Sequence, residues 1–138
     1  MADLQSGTSV ERHYTVTYDI TAAALAERDP GAAVTLPAVW STPDMIAKME
    51  IAAAALVAAL LPPDQMTVGA RNEVTHLAAT PVGMQVRICA TLAEVDGRKL
   101  TFTVEAFDEK EKVGEGRHIR YVVDEAKFAR RLADKRPA

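Results

Sequence analysis

Apolar and polar positions alternate with a period of two along several stretches of this chain. From Arg12 to Ile20, Tyr14, Val16, Tyr18 and Ile20 fall on one side and His13, Thr15, Thr17 and Asp19 on the other, which predicts a first strand. Met66 to Thr80, Met84 to Val95, Leu100 to Phe107 and Val113 to Val123 repeat the alternation and predict four more. Their connections, Pro81-Val82-Gly83, Asp96-Gly97 and Asp108 to Lys112, are short enough for antiparallel hairpins. The period changes between the first strand and the others. Residues 21–39 mix alanines with the turn signal Asp29-Pro30-Gly31 and hold no sustained period, predicting a short helix or a lid-like loop. Pro43 to Leu61 then reads as a helix that begins after Ser41-Thr42 and stops at Pro62-Pro63, and Asp124 to Lys135 reads as a charged closing helix.

A strand, a long apolar helix and an antiparallel meander bury that helix only if the sheet curls around it. The predicted class is therefore α+β, in the layout called the hotdog fold, with a lid-like segment over about residues 21–41. One such sheet leaves its own edges open, so a second copy is expected to pair with it, and a homodimer is the predicted assembly.

Within the central helix, Asp44 and Lys48 stand four residues apart on the expected solvated face. Glu50 does not join them. At about 100° per residue it points roughly 160° from Lys48, in line with Ile46, Ala53, Ala54 and Val57. A carboxylate on the apolar side of a helix must be paired, protonated or used. His76 falls, by strand parity, on the face shared with Val68, Ala70, Val74 and Ala78, and so points toward the helix. A histidine there is more often a core residue than a catalyst, but a carboxylate and an imidazole on facing surfaces have the geometry to act on one bound molecule.

Composition narrows the classes. The 138 residues, 49% of them hydrophobic, suit one compact domain with a core of its own. The formal charge of -3 supplies no basic field for nucleic acid or an anionic membrane. The apolar run Ile51 to Leu61 is too short to span a bilayer and the first twelve residues lack a signal-peptide pattern, so a cytoplasmic protein is expected. Cys89, the only cysteine, excludes an internal disulfide and a Cys-rich zinc site, and reads as a small strand residue. Neither a phosphate-cradling GxxxxGK[ST], nor a G-x-S-x-G elbow, nor an HExxH helix occurs, and the expected chemistry uses no metal and no cofactor.

Other positions have two readings each. Thr42 is the expected helix N-cap, ahead of Pro43 at N1. In one straight helix Thr42 and Glu50 lie about 12 Å apart along the axis, so a shared reacting centre requires either a folded-back loop or residues from two chains. Gly69 falls by parity opposite His76, and only a bulge brings both into one site. His118 and Arg120 share one side of a strand and read equally as exposed edge residues or as an anion site.

Together these residues resemble the fluoroacetyl-CoA thioesterase-like hotdog proteins. The resemblance rests on the T-x7-E spacing into an Ala-rich helix, the VTHLAATPVGMQV segment around His76, the VDGRKL turn and the GRHIR strand followed by Lys127-Phe128. It implies an acyl-CoA thioesterase in which Thr42, Glu50 and His76 form the hydrolytic group, Gly69 and Arg120 bind substrate, and CoA is part of the substrate. The family's fluoroacetate-selective member carries aromatic side chains in the lid; Ala33 and Leu36 at the corresponding positions imply a different small or medium acyl group. Two other readings stand beside it. A hotdog enoyl-CoA hydratase or dehydratase characteristically places an Asp and a His ahead of the helix, and no such pair occurs in 21–42. In a non-catalytic acyl-CoA-binding domain Thr42 merely caps, Glu50 is paired and His76 fills the core.

Overall fold

The computed structural model describes residues 4–137. Its elements are β1 (Ser9–Thr15), α1 (Ala22–Glu27), α2 (Thr42–Ala58), β2 (Gln65–His76), β3 (Gln85–Asp96), β4 (Lys99–Phe107), β5 (Lys112–Asp124) and α3 (Glu125–Lys135). The strands form one antiparallel sheet in the order β1-β3-β4-β5-β2. It is the α+β hotdog arrangement, with α2 as the helix that the sheet wraps.

The core sits between α2 and the concave face of the sheet. Met45, Met49, Ala52, Ala53 and Val57 of the helix meet Ile88, Ala90 and Leu92 of β3 and Leu100, Phe102 and Val104 of β4, all fully or almost fully buried. Small residues let the helix approach closely. At Gly114 of β5 a β-carbon would stand 2.6 Å from Met45 Sδ, so the Met45 side chain fills the space a larger residue would need. On the other side of the sheet, α3 lies over a groove of about 810 Å³ whose walls include Val68, Tyr121, Phe128 and Arg131.

Three boundaries differ from the sequence expectation. The first strand runs Ser9–Thr15 and not to Ile20, because Thr17 bonds Asp19 and the chain turns into a 3-10 helix at Tyr18–Ile20. The second strand ends at His76 instead of Thr80, after which Trp40 and Val39 pair with Thr80 and Pro81. The lid contains α1 and a 3-10 turn at Pro30–Ala32, and its two ends are tied where the Ala22 and Ala23 amides donate to the Val39 and Pro37 carbonyls. Residues 29–38 are exposed throughout, as befits a cover and not a core element.

The bulge required to bring Gly69 and His76 to one face exists. β2 pairs with β5 in register up to Gly69↔Arg120 and resumes at Arg71↔Ile119, leaving Ala70 outside the ladder. Thr67 and Gly69 on one side of the bulge therefore share the concave face with Asn72, Val74 and His76 on the other. Val68 and Ala70, expected beside His76 by simple parity, do not.

Candidate active site

The site residues form two clusters on the concave face. In the first, Thr42 Oγ1 lies 2.7 Å from His76 Nδ1. Thr42 is free to do so because it is not the helix cap. Ser41 is: its hydroxyl accepts from the Asp44 amide, leaving Thr42 as the first helical residue. Trp40, buried, presents an edge to the His76 ring at 6.3 Å and donates through Nε1 to Asp44, which also holds Lys48. Burial lowers the pKa of His76, so its neutral form prevails at pH 7. Among the described residues nothing hydrogen-bonds its buried Nε2. The pair floors a cleft of about 430 Å³ with Ala22, Pro37 and Val39 of the lid and Ala78 at its walls.

The second cluster surrounds Glu50. Oε2 accepts a 2.7 Å hydrogen bond from Asn72 Nδ2, and Oε1 lies 3.8 Å from Arg120 Nη1. The environment is thus polar, with the carboxylate side chain 36% exposed in the single chain, and not the apolar interface that helix periodicity suggested. Gly69 lies directly against it: a β-carbon there would stand 3.1 Å from Glu50 Oε1 and 3.2 Å from Arg120 Nη1. The missing side chain is what lets the carboxylate and the guanidinium lie this close to the strand.

Arg120 is fixed by its own partners. Nε and Nη2 donate to the Thr67 hydroxyl and carbonyl at 2.8 and 3.1 Å, and Nη1 donates to His118 Nε2 at 3.1 Å. His118 in turn donates from Nδ1 to the Arg71 carbonyl at 2.9 Å, which sets its tautomer, and stacks on Phe102. Burial, the leading cause, lowers the pKa of both His118 and Arg120. Neither is the exposed edge residue that its alternation allowed, because β5 lies inside the sheet, between β4 and β2.

Ala33 and Leu36 line a separate trough of about 520 Å³ with Ala23, Ala26 and Val34. Ala33 holds a left-handed backbone, φ 52°, closing the 3-10 turn of the lid. The sequence reading missed Asn72, Thr67 and Trp40. Strand parity through Val74 and His76 was the available signal for Asn72; Thr67 and Trp40 had none beyond their neighbourhood.

Comparison with known proteins matches residues 20–126 to the family described as fluoroacetyl-CoA-specific thioesterase, FlK. The chain belongs to the fluoroacetyl-CoA-specific thioesterase family. A fluoroacetyl-CoA thioesterase of Streptantibioticus cattleyicolor is 38% identical over 102 residues, 74% of this chain and 73% of that protein. A crystal structure of the fluoroacetyl-CoA thioesterase FlK superposes with a TM-score of 0.89 at 33% identity, covering 97% of this chain and 98% of that one. A Thermus thermophilus thioesterase superfamily member superposes at 0.84 with 26% identity, covering 98% and 97%. The protein is accordingly a thioester hydrolase acting on acyl-CoA. Among the described residues no helix is long and apolar enough to cross a membrane.

Proposed function

We propose that this thioesterase works as a homodimer that joins the free edges of β2, each reaction centre combining Glu50, Gly69 and Arg120 of one copy with Thr42 and His76 of the other. One observation carries the reading. The two clusters lie on the same face of the same edge strand, one against Gly69 and Asn72 in its middle and the other at its last residue, His76, and Thr42 and Glu50 are separated by about 12 Å of helix axis. Twofold antiparallel pairing of β2 reverses the strand, so the His76 end of one copy meets the Gly69 region of the other. The buried, unpartnered His76 Nε2 fits a group that receives its partner on assembly.

The proposed substrate is a small or medium acyl-CoA. FlK and its curated relative are named for fluoroacetyl-CoA; here the alanine-rich lid with Ala33 and Leu36 leaves a trough suited to a longer acyl chain. The carboxylate of Glu50 attacks the thioester carbonyl carbon, and the carbonyl electron pair moves to oxygen. Collapse breaks the carbon–sulfur bond, and CoA leaves as a thiolate, a base weak enough to need little acid assistance because its thiol has a pKa of about 8.5. Water then attacks the mixed anhydride, His76 takes its proton, and the acid and free Glu50 are released. Backbone amides at the Gly69–Ala70 bulge face the developing oxyanion, and Arg120 acts as the partner of the carboxylate. Thr42 orients His76.

Free thiol released from a panel of acyl-CoA esters, from acetyl to aromatic, tests the reading. Thioester hydrolysis with a maximum above two carbons is expected. Tight acyl-CoA binding with no thiol release contradicts it, and would match a binding domain; release of neither thiol nor acid with turnover at the C2–C3 bond would match a hydratase.

A further inference from the structure

The geometry points to Asn72 as a positioning residue that selects which oxygen of Glu50 reacts: it occupies Oε2 and leaves Oε1, beside Gly69, without a hydrogen bond among the described residues. This rests on Glu50 being the reacting carboxylate. Asn72 makes one side-chain hydrogen bond, 2.7 Å to Oε2, and is itself exposed in the single chain, so nothing in the core depends on it. Its presence on the concave face follows from the Ala70 bulge, which flips the parity of β2 after Gly69. An asparagine amide is neutral, so it anchors the carboxylate without neutralising it.

The other oxygen is placed differently. Oε1 has no hydrogen bond shorter than its 3.8 Å approach to Arg120, and lies 3.1 Å from where a Gly69 β-carbon would be. An attacking atom needs a free lone pair, and of the two oxygens only Oε1 lacks a hydrogen bond among the described residues. Without Asn72 the glutamate side chain, on the helix surface with three rotatable bonds, is drawn toward the guanidinium of Arg120, the one fixed positive charge facing it among the described residues; His118, the other titratable group facing it, is kept neutral chiefly by its burial, with Nε2 accepting from Arg120. A two-point contact with Arg120 would remove Oε1 from the approach. Joining β2 edges excludes water from the Asn72–Glu50 bond, which strengthens it where it is needed.

Two variants and a reference test this. Asn72→Ala is expected to lower kcat about tenfold, the scale of one charge-assisted hydrogen bond, with KM within about twofold. Asn72→Asp, nearly isosteric, places a second carboxylate against Glu50, and is expected to move the acidic limb of the kcat profile upward by about one pH unit or more, which a purely structural role does not do. Glu50→Gln is the reference, and combining it with Asn72→Ala is expected to cost nothing further. Wild-type kcat in Asn72→Ala together with an unmoved acidic limb in Asn72→Asp overturns the proposal while an inactive Glu50→Gln leaves the thioesterase reading standing. Full turnover by Glu50→Gln removes both.

Discussion

Thr42 Oγ1 stands 2.7 Å from His76 Nδ1, so only Nε2 of that imidazole remains for other work, and within the described chain it is buried without a partner. Glu50, on the same helix as Thr42, is about two turns further along, hydrogen-bonded to Asn72 and ion-paired at 3.8 Å with Arg120 instead. Within one chain the carboxylate on the helix and the histidine on the strand make no contact, which is the separation from which the two-chain centre is proposed.

Glu50→Gln removes the proposed nucleophile while keeping an acceptor for Asn72. Turnover is expected to fall at least about a hundredfold with KM little changed. Because Arg120 is buried and loses its counter-charge, the melting temperature is expected to fall slightly rather than rise, in contrast to a glutamate held in an apolar pocket. Steady-state kinetics and a thermal melt of the same preparation check both parts; near-normal kcat rejects the role.

Gly69→Ala places a methyl group 3.1 Å from Glu50 Oε1 and 3.2 Å from Arg120 Nη1, so both side chains must give way by a few tenths of an ångström. Turnover is expected to drop about tenfold or more from misplacement alone. The bulge begins just after this residue, but Gly69 itself does not hold a left-handed backbone, so urea unfolding is expected to change little. Unaltered kcat would show that the space over Gly69 is not where the acyl group sits.

Buried His118 and half-buried His76 make stability pH-dependent. Burial lowers the pKa of His76 and His118 in the folded state, while the unfolded chain protonates near the ordinary value of about 6.5. Below that pH the unfolded state binds more protons, so stability is complete above about 6.5 and declines as pH falls toward the lowered folded values. Carboxylates with lowered values, Glu11, Asp19, Asp108 and Asp124, titrate below this window. The melting temperature is therefore expected to fall between pH 7 and 5, and less steeply in His118→Gln. A flat profile over that range contradicts this burial.

Leu36→Phe fills part of the lid trough that Ala23, Ala26 and Ala33 leave open. The ratio of kcat/KM for hexanoyl-CoA to that for acetyl-CoA is expected to fall about tenfold, the scale of one or two methylenes in an apolar pocket. An unchanged ratio places the acyl chain elsewhere.

Much of this arrangement was legible because it follows from local periodicity. Alternation located all five strands and the 3.6 period located α2 and singled out Glu50 as a polar intruder on its inner side. What stayed hidden depends on contacts between distant segments. Parity put Gly69 opposite His76, and only the unpaired Ala70 reverses that. Ser41 and Thr42 are both chemically able to cap a helix, and the choice of Ser41 releases Thr42 to His76 across 34 residues. His118 and Arg120 read as edge residues until the strand order places β5 inside the sheet, where Thr67, Arg71 and Phe102 surround them.

The most direct test of the central claim mixes two inactive variants. Glu50→Gln and His76→Ala chains, differently tagged, are co-expressed or co-refolded and the hybrid is isolated and assayed. If each centre draws Glu50 from one copy and His76 from the other, every hybrid dimer contains one intact centre, and a randomly assembled mixture recovers about a quarter of wild-type activity. If both residues act within one chain, every centre in the hybrid carries a lesion, and activity no greater than that of the parent variants contradicts the account.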